Sequence, residues 1–131
     1  MENIVIKKQK SEDTGKILKN WYALYVDSFI WTENLSFNDG EWCFYSSAYS
    51  KISGNEGSKF VSLSNIDLII TYFENLYRLE RHKSIATAIN KSTLQSLYNT
   101  KNILLEIKDI NTEDITEIRN KDIKEKRHPS T

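Results

Sequence analysis

Glu41-Trp42-Cys43-Phe44-Tyr45 is the stretch on which the fold reading turns. Aromatic side chains favour a pleated surface, which speaks for a strand. Beyond the pentapeptide, however, Trp42, Tyr45, Tyr49 and Ile52 recur at three, four and three residues, the spacing of one helix face. Asn38 stands in capping position with Glu41 three residues on, and Gly54 falls where a left-handed C-terminal residue belongs. The spacing therefore predicts a helix over 39–53.

The same period extends outward on both sides. Residues 11–32 open with Ser11 as a cap and Glu12 and Asp13 in a first turn, then set Ile17, Trp21, Leu24, Tyr25 and Ser28 along one face. Ser64 caps a helix to about His82, with Ile66, Ile69, Ile70, Phe73, Leu76, Tyr77 and Leu79 as a wide apolar stripe. Ser84 restarts a helix whose phase rotates between Ile89 and Leu94, predicting a kink or break near 90–92. Asn111 opens a last short helix through Ile115, Ile118 and Ile123. Proline occurs once, at Pro129, and glycine four times, so breakers are scarce in these stretches. The expected fold is mainly α: a single-domain bundle of four to five helices over 1–123, with a frayed tail at 124–131. The rival is α+β, with a small sheet from residues 3–7, 42–45 and 59–63.

A chain of 131 residues buries enough surface for one independent core. Eighteen lysines and arginines balance eighteen aspartates and glutamates, so no overall field draws nucleic acid or an anionic membrane. Cys43 is the single cysteine, which excludes an intrachain disulfide and any zinc site of several thiolates, and a reducing, cytoplasmic setting is expected. No apolar run approaches the length of a membrane span or a secretory core.

Chemistry is sparsely written. Phosphate-binding glycine loops, the two-histidine zinc helix and a serine nucleophile turn are missing, so neither catalytic residues, metal nor cofactor is expected. Arg78, Arg81, His82 and Lys83 form the densest basic cluster, a candidate nucleic-acid contact in which His82 is the one candidate acid or base. Its arginine-to-histidine spacing resembles the motif of helical HEPN ribonucleases but is one residue short of it. A helix end whose cations complement the C-terminal dipole accounts for the same residues.

The informative asymmetry lies between Asn20 and Gly57. Asp27, Glu33, Asp39, Glu41 and Glu56 face one base, Lys51, a net charge of −4 in a neutral chain, and all three tryptophans fall there. Rigid aromatic area ringed by carboxylates is interface chemistry for a basic partner. Asp27, Trp31, Glu33, Asp39, Glu41 and Tyr45 are the expected contact residues. The expected function is a non-catalytic, inhibitor or immunity-type protein that neutralises a partner protein, a basic toxin nuclease being one candidate. The alternatives are a helical nucleic-acid-binding or nuclease-like domain, and an assembly subunit joined through the stripe of Ile66 to Leu79.

Overall fold

The computed structural model describes residues 3–45, 60–80 and 84–129, and the side chains of these except 80 and 84–90. In chain order it has β1 (Ile4–Lys10), β2 (Ile17–Val26), β3 (Phe29–Asn38), β4 (Glu41–Tyr45), β5 (Phe60–Ser62), α1 (Ile66–Glu80), α2 (Ser84–Ile107), a 3-10 turn (Thr112–Asp114) and β6 (Ile118–Asn120). It divides into two compact units, Met1–Tyr45 with Asp109–Thr131, and Ser46–Lys108. No helix among the described residues is long and apolar enough to cross a membrane.

Among the described residues, six strands and two long helices replace the expected bundle of four to five helices. The helices read over 11–32 and 39–53 are overturned by β2, β3 and β4, and the one read from Asn111 by the 3-10 turn and β6. The physical reason is burial on both faces. Ala23, Leu24, Tyr25 and Val26 are four consecutive buried residues in β2, and Trp42, Cys43 and Phe44 three in β4. A strand covered on both sides carries a continuous apolar run, which erases the alternation that separates strand from helix. Tyr49 and Ile52, which completed the helical spacing, lie outside the described residues.

The turns confirm the strands. Asp39 and Gly40 have φ of 53° and 80°, and Asp27 and Ser28 have 51° and 73°. Two successive residues at positive φ make the type I′ turn whose twist matches paired strands, and Asp-Gly is among its preferred sequences. Asn38-Asp39-Gly40-Glu41 is thus a hairpin, with Asn38 opposite Glu41, rather than a helix cap.

In the first unit the strands lie in the order β4-β3-β2-β1-β6; the first four are antiparallel and β6 runs parallel to β1. Register sorts the side chains into two faces. One carries Ile6, Leu24, Val26, Leu35, Trp42 and Phe44, all buried. The other carries Val5, Lys7, Gln9, Trp21, Ala23, Tyr25, Ile30 and Arg119.

The second unit holds β5 and the helix pair. α1 begins close to the predicted cap: the Asn65 carbonyl accepts the first helical bond, from Ile69, and its side chain accepts from the Ser62 N–H at 2.9 Å. α2 runs unbroken for 24 residues, without the break expected near 90–92. Lys101 meets Asp67 at 2.7 Å and Tyr98 donates to Glu74 at 2.9 Å, so the helices are antiparallel.

Candidate functional site

The mixed face of the sheet is built in two halves. One is closed by the chain itself. After β6 the segment Lys121–Pro129 turns back and reaches β3, where the Ile30 N–H donates to the Lys126 carbonyl at 3.0 Å and the Ile30 carbonyl accepts from His128 N–H at 2.8 Å. Because β6 lies beyond β1, this strap crosses β1 and β2 on the way. Ala23, Tyr25 and Ile30 form a small buried cluster on the face it crosses, with Val5 packed against it. The segment read from sequence as a frayed tail lacks large apolar side chains beyond Ile123, and its anchors are polar.

Arg119 is the centre of those anchors. Its side chain is 4% exposed, and β6 pairs it with Gln9. The guanidinium donates to Gln9 Oε1 at 2.9 Å, Glu33 Oε1 at 2.8 Å, Glu125 Oε1 at 2.9 Å and the Ile123 carbonyl at 3.1 Å. Tyr25 donates its hydroxyl to the same Glu125 oxygen at 2.6 Å, and Gln9 Nε2 donates to the Glu33 carbonyl at 2.8 Å. Arg127 approaches Glu33 Oε2 at 3.6 Å, and Lys7 Nζ sits 4.4 Å from the Tyr25 ring centroid. A buried charge is tolerated when paired and hydrogen-bonded, and this one makes four hydrogen bonds, two of them to carboxylates.

Burial opposes the Arg119 charge, but hydrogen bonds to Glu33 and Glu125 outweigh it and raise the pKa further. Burial, then the bond to Glu125, pushes the Tyr25 phenol well above its ordinary range. Burial also pushes the Cys43 thiol up, and Asn38 reaches its Sγ at 3.2 Å. A phenol held in its neutral form, an arginine with four of its five N–H donors engaged and a thiol pushed away from its thiolate are poor bases and nucleophiles. The arrangement is a clamp.

Glu125 titrates in the direction that makes the clamp acid-sensitive. Burial would raise its pKa, yet the donors Tyr25 and Arg119 and the charges of Arg119 and Lys7 hold it below the ordinary 4.5. A carboxyl with a folded-state pKa below its unfolded one contributes stability that is present above the unfolded value and lost as pH falls through the folded one. Glu125→Gln is therefore expected to lower the urea midpoint at neutral pH and to flatten its fall between about pH 5 and pH 3. Tryptophan fluorescence reads this, since Trp21, Trp31 and Trp42 all lie in the first unit. A variant with the wild-type acid profile would show that Glu125 does not hold the strap.

The other half of the face lies beyond the strap and holds part of the expected contact set. Glu41 and Tyr45, four residues apart on β4, share a side of the strand, with Asp39 exposed in the adjoining turn. Tyr45 is 36% exposed and stands edge-on to Trp21, ring centroids 6.2 Å apart. Next to Trp21 opens a cleft of about 370 Å³ lined by Gln9, Leu18, Trp21, Glu33, Asn34, Lys121 and Asp122.

The remaining expected residues go elsewhere. Asp27 lies at the opposite end of β3, about 30 Å away along a ten-residue strand, where its Oδ1 accepts from Asn3 N–H. Trp31 packs on Phe44 at 4.9 Å and is half-buried. Glu33 belongs to the Arg119 clamp. Simple alternation from Leu35 would put Glu33 on the apolar face, but β3 has one extra residue between Leu35 and Thr32 relative to β2, and this bulge turns it to the mixed face. Arg78 is exposed on α1 and reaches Asn75 Oδ1 at 3.4 Å, while Arg81, His82 and Lys83 lie outside the described residues.

Trp21, Gln9, Arg119 and Glu125 were not singled out from sequence. Trp21 falls in the acidic aromatic stretch but outside the expected contact set, and nothing in one sequence links Arg119 to Gln9 across 110 positions. No family model, curated protein or solved structure matches the chain.

Proposed function

We propose that the protein is a non-catalytic binding module that docks a basic partner protein on the open half of the mixed face, in the manner of an inhibitor or immunity protein. The observation that carries the reading is the Trp21–Tyr45 pair, edge-on at 6.2 Å, with Glu41 on the same strand face as Tyr45 and Asp39 in the turn beside it. Aromatic rings held rigid by each other lose little entropy on docking, and carboxylates around them favour a cationic partner and speed its approach. The hydrogen-bonded clamp next to this patch supports a role through shape and charge rather than reaction. A buried thiol in a chain with a single cysteine supports a reducing, cytoplasmic setting.

Affinity capture from native cells with the full chain as bait tests this against matched variants. Tyr45→Ala is expected to weaken the captured partner about 30-fold, the size of a hot-spot truncation. Asp39→Lys with Glu41→Lys should slow association and abolish its salt dependence. Asp27→Lys, at the far end of β3, should change neither. Equal capture by the Tyr45 and Asp39/Glu41 variants would remove this surface from the function.

A further inference from the structure

α1 carries exposed apolar surface on a side away from its buried residues. Ile66, Ile69 and Ile70 are buried, whereas Leu68 is 76% exposed, Leu79 70% and Tyr72 41%, and Asn75 is exposed as well. These four residues are spaced four, three and four apart, so at 3.6 residues per turn they fall within roughly 60° of arc. That is the seam of a two-helix coiled pairing. It lies away from the flank on which Asp67 and Glu74 hold α2.

The positions have a symmetry of their own. Leu68 and Leu79 share a midpoint between Phe73 and Glu74, and so do Tyr72 and Asn75. A two-fold axis through that point lays two copies of α1 antiparallel with Leu68 against the partner's Leu79 and Tyr72 against the partner's Asn75, each contact made twice. A two-fold interface requires this self-complementarity.

Charge agrees with the register. Asp67 and Arg78 lie on one flank at opposite ends of the seam, so an antiparallel partner brings Arg78 alongside the partner's Asp67, again twice, with opposite signs facing. The Asp67 side chain is 71% exposed although it holds Lys101. Asn75, polar in the middle of an apolar seam, fixes alignment as single polar seam residues do, with the Tyr72 hydroxyl opposite its amide. Three exposed apolar side chains and their rim fall short of the ~800 Å² per partner of a standard interface. The match therefore fits a weak, reversible dimer.

We propose that the occupant of this seam is a second copy of the chain, forming an antiparallel α1–α1 dimer at high concentration, independently of the partner-binding patch on the first unit. Sedimentation of the full chain is expected to move from monomer toward dimer mass between about 10 µM and 1 mM. Leu68→Lys with Leu79→Lys, both at exposed positions, should hold it monomeric with an unchanged circular dichroism spectrum. Asp67→Arg should weaken association at least 5-fold, and adding Arg78→Asp should restore it.

Register is read by cross-linking. A mixture of Leu68→Cys and Leu79→Cys proteins should form a disulfide dimer under mild oxidation, and neither protein alone should. A monomer mass throughout the range overturns the proposal. So does a disulfide formed by the Leu68→Cys protein with itself, which would mean a parallel pairing.

Discussion

Arg119→Ala is expected to destabilise the first unit by about 3 kcal/mol, shifting its thermal midpoint by on the order of 10 °C. The side chain is 4% exposed and satisfies Gln9, Glu33, Glu125 and the Ile123 carbonyl at once. Removing it leaves Glu33 and Glu125 facing each other across an empty site, with the Gln9 carbonyl oxygen stripped of its donor. The loss sits at the low end for a broken buried pair because both carboxylates keep water access, at 38% and 29% side-chain exposure. Arg119→Lys keeps the charge, but three donors on a single nitrogen cannot serve the four acceptors that the planar fork reaches, so it should fall between alanine and wild type. Urea unfolding followed by tryptophan emission measures both. A midpoint for the alanine variant equal to wild type would mean that the strap holds without its clamp.

How much of this was legible in the sequence follows from how each element is buried. α1 was legible because it buries one side only: Ile66, Ile69 and Ile70 face inward while Asp67, Thr71, Glu74 and Arg78 stay out, which is the pattern periodicity detects. β2 and β4 were not, because residues 23–26 and 42–44 are buried without alternation. A local signal did exist in Asp39-Gly40, the hairpin dipeptide, and the capping reading of Asn38 obscured it.

The candidate site divides in the same way. Four residues is two full strand repeats and close to one helical turn, so Glu41 and Tyr45 share a face whether their segment is strand or helix. Trp31 and Glu33 depend on bulges in β3, which no spacing rule announces. The clamp depends on β6 lying beside β1, a parallel contact between residues separated by 110 positions. Contacts of that kind belong to topology, and composition carries no trace of them.

Trp42→Ala is expected to cost about 4 kcal/mol, the largest single loss in the apolar face of the sheet. The ring is 2% exposed and meets Tyr22 and Phe37 edge-on, each at 5.0 Å between centroids. Its indole N–H donates to the Ile110 carbonyl at 3.0 Å, fastening the start of the returning chain to the β3–β4 hairpin. Trp42→Phe separates the two contributions: it retains most of the ring contact and leaves the Ile110 carbonyl without its donor, for a loss of about 1–2 kcal/mol. Trp31→Phe, at a half-buried ring packed on Phe44, should lose under about 1 kcal/mol. Far-ultraviolet circular dichroism during urea unfolding ranks the three without relying on the fluorophore that each one removes. The order Trp42→Ala, Trp42→Phe, Trp31→Phe is required if Trp42 both fills the sheet's apolar face and holds Ile110. Equal losses for Trp42→Phe and Trp31→Phe would strip the indole hydrogen bond of its fastening role and leave Trp42 a packing residue alone.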